Sequence, residues 1–201
     1  MKIGIIGLQG AVSEHIGATE RAMQKQGIRG EAIWVGRPEQ LEGVDGIIIP
    51  GGESTTIGKL MFTTGLFERV KQLVARGVPV FGTCAGLIVL AKRGDEQTAR
   101  TKQPLLGLMD ISVVRNAFGR QRESFEAPVL VEGLQEPFPA VFIRAPVIEK
   151  VWNGCRPVGW HEGRIIMARQ GNILAISFHP ELSGDTRIHE MLIRMADRSS
   201  P

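Results

Sequence analysis

The sequence predicts an α/β fold of three layers, in which a mostly parallel β-sheet is flanked by helices and antiparallel strands are added in the C-terminal half. Two observations support this prediction. Up to residue 94, short apolar runs alternate with segments of helical periodicity, which is the pattern of βαβ units. After residue 94, the strand candidates lie close together without long helices between them, which indicates hairpins.

The first half contains four strand candidates, each a run of apolar residues. They are KIGIIGL (2–8), EAIWV (31–35), VDGIIIP (44–50) and VPVFG (78–82). Apolar residues at helical spacing predict two helices between them, one carrying Val12, Ile16, Thr19 and Met23, the other Leu66, Phe67, Val70, Leu73 and Val74. A third helix begins at CAGLIVLAKR; because it is apolar on every side, we expect it to be buried.

The second half opens with GDEQTARTKQP, which we predict to be a polar loop. The strand candidates that follow are ISVVRN, ESFEAPVLV, AVFIRA, RIIMARQ and NILAISF, with RQGN as a hairpin turn and a last helix over about 186–197. No stretch is rich enough in proline, glycine or serine to be a linker. We therefore predict a single domain over residues 1–201.

Composition excludes several classes of function. The formal net charge is only +3, and acidic residues interrupt even the densest basic cluster, RNAFGRQRESFE, so we expect no nucleic-acid binding. No apolar run approaches the roughly 20 residues of a membrane span. The N-terminal apolar run is too short for a signal peptide, so we expect a cytoplasmic protein. Cysteine and histidine spacing indicates no metal site, and we expect no cofactor.

The segment FGTCAGL (81–87) places one of only two cysteines in the pattern G-x-C-x-G, after an apolar strand and before an apolar helix. This is the strand–nucleophile–helix elbow with cysteine in place of serine. The sharp turn needs very small residues on both sides of the nucleophile, and a helix N-terminus stabilises a thiolate. A buried structural thiol is the alternative interpretation, since free cysteine is often buried. Spacing and context favour Cys84 as a nucleophile, whereas Cys155 lies in a loop and is interpreted as incidental.

A thiol nucleophile needs a base, and four histidines could supply it. His15, His161 and His189 lack a suitably placed carboxylate, because the glutamate next to each of them in sequence points elsewhere. In SFHPEL (177–182), His179 and Glu181 are two residues apart, so an extended backbone would place both on one face. Pro180 favours that extended geometry. We therefore predict His179 as the base.

The turn PGGESTT (50–56) follows the third strand and could supply an oxyanion donor at Gly52, beside the amide of Ala85 after the nucleophile. The alternative is an ordinary capping turn with Ser54 or Thr55 as the helix N-cap; both interpretations can hold together. GGESTTIGKL and GIIGLQG lack the spacing of the phosphate-binding and dinucleotide-binding loops, so nucleotide binding is not expected.

Together, the elbow, the PGGEST turn and SFHPE resemble a class I glutamine amidotransferase, a family with a catalytic triad and a flavodoxin-like fold. Further blocks along nearly the whole chain resemble one branch, the glutaminase subunits of pyridoxal 5′-phosphate synthase. These blocks are GLQGAVSEH, RPEQL, PGGESTTIGKL, FGTCAGLIVLAK, RNAFGRQRESFEA, EPFPAVFIRAP and SFHPEL. GLQG, RNAFGRQ and FIRAP select this branch, whereas the elbow identifies only the wider family.

The resemblance implies hydrolysis of L-glutamine to L-glutamate, with ammonia passed to a separate synthase subunit that builds the vitamin B6 ring. It implies a triad of Cys84, His179 and Glu181. The substrate contacts that it implies are Gly52, Glu53, Ser54, Arg115, Ile143 and Arg144. We expect Gln9 and Gly10, in GLQG, to help sense the docked synthase because they should lie at a strand end near the site.

Two alternatives stay open from the sequence. The chain could serve a different synthase, although RNAFGRQ and FIRAP argue against it. It could also be a DJ-1-like cysteine protein without glutaminase activity, although His-x-Glu after an apolar strand favours the triad. The segment 149–163 does not match the family.

Overall fold

A computed structural model of the protein describes residues 1–118 and 124–197. The strands are β1 (Lys2–Ile6), β2 (Glu31–Val35), β3 (Gly46–Ile49), β4 (Val80–Thr83), β5 (Ala91–Arg93), β6 (Met109–Val114), β7 (Ser124–Val131), β8 (Phe138–Ile143), β9 (Val147–Val151), β10 (Arg156–His161), β11 (Arg164–Gln170) and β12 (Ile173–Ile176). The helices are α1 (Val12–Lys25), α2 (Ser54–Thr64), α3 (Leu66–Ala75), α4 (Ala85–Leu90), α5 (Glu96–Arg100) and α6 (Arg187–Ala196). Short 3-10 helices cover Pro38–Leu41 and Pro180–Leu182.

The sheet is parallel where the sequence alternates between strands and helices. Its order there is β2-β1-β3-β4-β12, and all four pairings are parallel. Beyond β12 the sheet continues through β11, β10, β7 and β8, and these pairings are antiparallel. The parallel core and the antiparallel extension in the C-terminal half confirm the predicted fold class.

Three layers form because the central strands are apolar on both faces. Along β3, Ile47 and Ile49 join a core that includes apolar residues of α2, α3 and α4. Ile48 points to the opposite face, where it packs in a core with residues of α1 and α6. Alternation of side chains along one strand thus joins both helical layers to the sheet.

The predicted hairpin turn at RQGN is confirmed. Gln170 pairs with Ile173 across the turn, and Gly171 has φ +56°, a backbone angle that glycine adopts without strain. The last helix is also confirmed, as α6. The segment 149–163, which matched no family block, supplies the end of β9 and all of β10.

Two local predictions were wrong. The predicted polar loop contains α5, whose N-cap Asp95 accepts a hydrogen bond from the Thr98 backbone N–H at 3.0 Å. The helix that follows Cys84 ends at Leu90, because Ala91–Arg93 pairs with β6 as a parallel strand. Pairing with a strand that lies far along the chain overrides the local helical pattern.

Residues 119–121, the last three of RNAFGRQ, lie outside the described residues. Over the two described ranges, no helix is both long and apolar enough to cross a membrane.

Candidate active site

Cys84 lies at the corner between β4 and α4, in a strained backbone conformation with φ +49° and ψ −101°. Such a conformation costs on the order of 1–3 kcal/mol in a residue other than glycine and persists only where the surroundings enforce it. Here the Cys84 N–H donates to the Ile176 carbonyl at 2.7 Å, which anchors the corner to β12. The side chain lines a cavity, and its Sγ lies 3.9 Å from the Ile143 carbonyl oxygen.

The glycines around Cys84 are required by close packing. A methyl group on Gly82 would lie 2.7 Å from the Gly86 carbonyl oxygen, and one on Gly86 would overlap the Ile49 carbonyl oxygen of β3. These contacts are shorter than side-chain carbon atoms tolerate. The small residues therefore allow α4 to begin directly against the sheet, as the elbow pattern predicts.

His179 and Glu181 form a buried pair beside Cys84. His179 Nδ1 lies 2.7 Å from Glu181 Oε1, and the Glu181 side chain is inaccessible to solvent. The His179 N–H donates to the Val141 carbonyl at 2.8 Å, which fixes the backbone of the histidine against β8. The carboxylate thus orients the imidazole toward the thiol.

The predicted backbone geometry of this pair was wrong. Glu181 does not follow His179 in an extended strand; it lies in the 3-10 helix Pro180–Leu182, for which His179 is the N-cap. Pro180 occupies the first helical position, where its fixed φ and missing N–H are well tolerated. The tight turn, rather than strand alternation, returns Glu181 to the histidine.

The pKa of His179 is strongly perturbed. Burial lowers it, but hydrogen bonds and charges from Cys84 and Glu181 outweigh burial and raise the pKa of His179 to about 10. An imidazolium is therefore favoured between the thiol and the carboxylate. An imidazolium next to a cysteine stabilises the thiolate, which is the nucleophilic form.

A cavity of about 300 Å³ opens above Cys84. Its lining includes nearly all of the predicted catalytic and substrate residues, namely Gly52, Glu53, Ser54, Cys84, Ala85, Arg115, Ile143, Arg144 and His179. A larger cavity of about 380 Å³ lies elsewhere, between β10, β11 and α6. We assign the smaller cavity as the candidate site because it contains the thiol and its base.

The PGGEST turn caps α2 differently from the prediction. The N-cap is Glu53, not Ser54 or Thr55, and its carboxylate accepts from the N–H groups of Thr55 at 3.0 Å and Thr56 at 2.7 Å. Burial raises the pKa of Glu53, but the hydrogen bond from Thr56 Oγ1 at 2.7 Å, together with the two backbone hydrogen bonds, outweighs burial and lowers the pKa below its usual range. Glu53 is therefore a carboxylate at the cavity wall.

Arg115 is held in place inside the cavity rather than lying in a surface salt bridge. Its guanidinium donates to Thr98 Oγ1 at 2.8 Å and to Gln103 Oε1, and it lies 3.7 Å from Asp95. Gln103 Oε1 also accepts from Ser54 Oγ at 3.3 Å, so one amide links Arg115 to the start of α2.

The GLQG loop contacts the PGGEST turn. Gln9 Oε1 accepts from the Glu53 N–H at 3.0 Å, and a methyl group on Gly10 would overlap the Gly51 carbonyl oxygen. Gly52 has φ +148°, which glycine alone adopts readily, so its peptide can be oriented into the site. Ala85 is the first residue of α4, where backbone N–H groups lack acceptors within the helix.

Sequence reasoning missed several residues of the site. Gln97 and Asn116 line the cavity; Asn116 stands next to Arg115 in the RNAFGRQ block, whereas no pattern in the sequence distinguishes Gln97. Gly51 packs directly against the His179 ring, a contact that the double glycine could have suggested. His15 was rejected as a base, yet its Nε2 lies 3.3 Å from Glu181 Oε2.

The second cysteine is separate from this site. Both cysteines are free thiols, and burial together with the charge of Asp110 raises the pKa of Cys155 to about 11. Cys155 is therefore an unreactive thiol at neutral pH.

Known proteins are similar to this chain over nearly its whole length. The chain is 52% identical over 197 residues to the pyridoxal 5′-phosphate synthase subunit PdxT of Thermococcus onnurineus, covering 98% of this chain and 99% of the relative. It is 54% identical over 195 residues to the PdxT subunit of Pyrococcus horikoshii, covering 96% and 98%. Both matches extend over nearly the whole of each protein and agree with the resemblance that the motifs indicated.

Solved structures agree with the fold. A crystal structure described as a glutamine amidotransferase matches with a TM-score of 0.86 at 44% identity, over 96% of this chain and 98% of the other. The PurLQS structure from Thermotoga maritima, with a TM-score of 0.62 at 15% identity, shares the fold. The model of the SNO glutamine amidotransferase family matches residues 5–198, nearly the full length. The chain therefore belongs to the SNO glutamine amidotransferase family.

Proposed function

We propose that this protein is the glutaminase subunit of a pyridoxal 5′-phosphate synthase. It hydrolyses L-glutamine to L-glutamate and ammonia through Cys84, His179 and Glu181, and it delivers the ammonia to a synthase subunit. The observation that carries the proposal is the position of His179, between the cavity thiol and a buried carboxylate 2.7 Å away. PdxT relatives more than 50% identical over nearly the whole chain support the choice of synthase.

In the first half of the reaction, the Cys84 thiolate attacks the side-chain amide carbon of glutamine. Backbone N–H groups at Gly52 and Ala85 stabilise the oxyanion that forms. The His179 imidazolium gives its proton to the departing nitrogen, so that ammonia leaves and a thioester remains.

In the second half, neutral His179 takes a proton from a water molecule, which attacks the thioester carbon. Collapse of the intermediate releases glutamate and restores the thiolate and the imidazolium. Glu181 stays ionised throughout, because its role is to orient and stabilise the imidazolium.

Charged groups at the cavity wall suit the free amino acid. The guanidinium of Arg115 or Arg144 would pair with the α-carboxylate of glutamine, and the Glu53 carboxylate would attract its ammonium. Ser54 and Ile143 complete the predicted contacts. A peptide lacks a free carboxylate and ammonium at the same carbon, so the site should prefer free glutamine.

Use of the released ammonia requires the synthase partner for a chemical reason. Ammonia released into water at neutral pH is mostly protonated and no longer a nucleophile, so a docked subunit with a shielded route preserves it. The contact between Gln9 and Glu53 offers a path by which docking at GLQG could adjust the PGGEST turn. We therefore expect weak activity alone and stimulation by the synthase.

We propose that the whole chain, residues 1–201, acts as one glutaminase domain in the cytoplasm. The free thiols suit a reducing compartment. Limited proteolysis that yields two stable fragments would contradict the single domain, and recovery of the protein outside the cytoplasmic fraction would contradict the location.

The deciding experiment measures glutamate release from glutamine, with and without the purified synthase subunit. Stimulated release is expected from the wild type and from Cys155→Ala, whose thiol lies outside the site, but not from Cys84→Ala. Equal release from wild type and Cys84→Ala, or no stimulated release from wild type, would rule out the proposed function.

A further inference from the structure

Two fully buried histidines lie behind the catalytic residues. His15, on α1, and His189, on α6, are both 0% exposed, and His15 Nδ1 lies 3.1 Å from His189 Nε2. The other ring nitrogen, His15 Nε2, lies 3.2 Å from Thr83 Oγ1 and 3.3 Å from Glu181 Oε2. His15 therefore contacts both the residue before the nucleophile and the carboxylate that orients the base.

Both rings are neutral. Burial lowers the pKa of His15 well below its ordinary value, and the proximity of the His189 and His179 rings, either of which would repel a second positive charge, lowers it further. Burial, with the charge of Arg21, lowers the pKa of His189 to about 3. Each ring then carries one N–H and one lone pair, so the contact between them must join one of each.

Two proton arrangements are possible in this network, and they differ in cost. If His15 donated from Nδ1, its Nε2 lone pair would face the Glu181 carboxylate, and the remaining His189 N–H would sit at Nδ1, which is buried without a hydrogen-bond partner. If His189 donates from Nε2, the ring nitrogen left without a partner is its Nδ1, which then carries a lone pair and no proton. His15 then carries its proton at Nε2, directed at Thr83 and Glu181. The first arrangement is the costlier one, because it leaves a buried N–H donor without an acceptor and turns a lone pair of His15 toward the carboxylate.

The proton on His15 Nε2 stabilises the Glu181 carboxylate. Its Oε1 is engaged by His179, whereas Oε2 is buried and accepts no directed hydrogen bond within the described part of the chain. The His15 N–H points more directly at Thr83 Oγ1, so its effect on Glu181 Oε2 is the attraction of a nearby N–H dipole. Because no water reaches this carboxylate, the dipole acts at low dielectric and is correspondingly strong.

We propose that His15 is a positioning residue, which holds Glu181 and Thr83 through its Nε2 proton, and that His189 selects the ring tautomer that makes this possible. A neutral donor suits the task better than a charged one, because a second imidazolium would compete with His179 for the carboxylate. The expected change in kcat rests on the proposed glutaminase activity, whereas the tautomer and the contacts of His15 do not depend on it.

The test uses two amide substitutions that mimic different halves of the imidazole ring. His15→Gln places an amide N–H where Nε2 lies, whereas His15→Asn places one near Nδ1 and leaves Glu181 without its donor. Asparagine should lower the synthase-stimulated kcat by about tenfold with little change in KM, because the N–H dipole beside the buried charge of Glu181 is lost. Glutamine should stay within about threefold of wild type, since it restores that donor. Equal kcat for the two variants would overturn the proposal.

Two further measurements separate this proposal from the proposed function and from simple misfolding. Alkylation of Cys84 by iodoacetamide, in a Cys155→Ala background and without glutamine, should be slower in His15→Asn than in His15→Gln at matched thermal stability. This holds even if the wild type proves to have no glutaminase activity, and equal alkylation rates would contradict the positioning role. If His15→Asn does not fold, nitrogen NMR of the ring-labelled wild type decides, since a proton on His15 Nδ1 instead of Nε2 would refute the tautomer assignment.

Discussion

Gly51→Ala should disable the site through a single methyl group. Gly51 has an ordinary backbone conformation outside the positive-φ region, so alanine can adopt it without strain. The added methyl group would nevertheless overlap His179 Cε1 and lie 3.1 Å from His179 Nδ1, with Cys84 Cβ at 3.4 Å on its other side. The methyl group cannot retreat, because it is trapped between the base and the nucleophile.

The size of the effect follows from this overlap. Ordinary carbon–carbon contact requires the His179 ring to withdraw by about 1 Å. That shift would break the 2.7 Å hydrogen bond to Glu181 or move the imidazole away from the thiol. Since a misplacement of about 1 Å can cost about 100-fold in rate, we expect the synthase-stimulated kcat to fall by about two orders of magnitude.

The assay is steady-state glutamate release with saturating synthase, accompanied by thermal unfolding of each variant. Gly17→Ala is the matched control, because Gly17 lies within α1 and an added methyl group would meet only the flexible end of Arg21, at 3.2 Å. A Gly51→Ala enzyme within about threefold of this control would refute the assigned geometry of His179.

Three further outcomes are expected. Gly86→Ala should lower the free energy of unfolding by about 2 kcal/mol or more, because its methyl group overlaps a backbone carbonyl of β3. The measurement is denaturant unfolding, and an unchanged free energy would contradict the packing of the elbow. The pKa of His179 is raised to about 10, so the stability that its charge contributes is complete below about pH 6.5 and is lost as the pH rises through 10. Unfolding measured across that range should show a steeper loss of stability in wild type than in Cys84→Ala, and parallel curves would argue against the interaction between His179 and Cys84. Gln9→Ala removes the acceptor for the Glu53 N–H. It should reduce stimulation by the synthase, measured as glutamate release, more than it reduces complex formation, measured by calorimetry. Unaltered stimulation would exclude GLQG as the sensing loop.

Much of the fold was predictable because its signals are local. The apolar runs that became β1, β3 and β4 are buried on both faces, and turns such as RQGN carry the residues that their backbone angles require. The errors lie where a distant pairing outweighs a local pattern, as at Ala91–Arg93, which pairs with β6 instead of continuing α4.

The candidate site likewise has parts that the local sequence predicts and parts that it does not. The elbow was predictable because its steric demand falls on residues adjacent in sequence, and Gly82 and Gly86 meet that demand. The proximity of His179 and Glu181 was also predictable, although a 3-10 turn rather than an extended backbone produces it. By contrast, Glu53 capping α2 was missed, since two better-known capping residues follow it directly.

By itself, the sequence determined the elbow around Cys84, the pairing of His179 with Glu181 and the small residues that make room for them, because these depend on backbone conformations encoded within a few positions. Only the tertiary structure decided what lies behind them. His15 reaches Glu181 from α1, and His189 reaches His15 from α6, across 166 and 174 positions of sequence. No local periodicity reports such a contact, because it exists only once the two helices pack against the same face of the sheet.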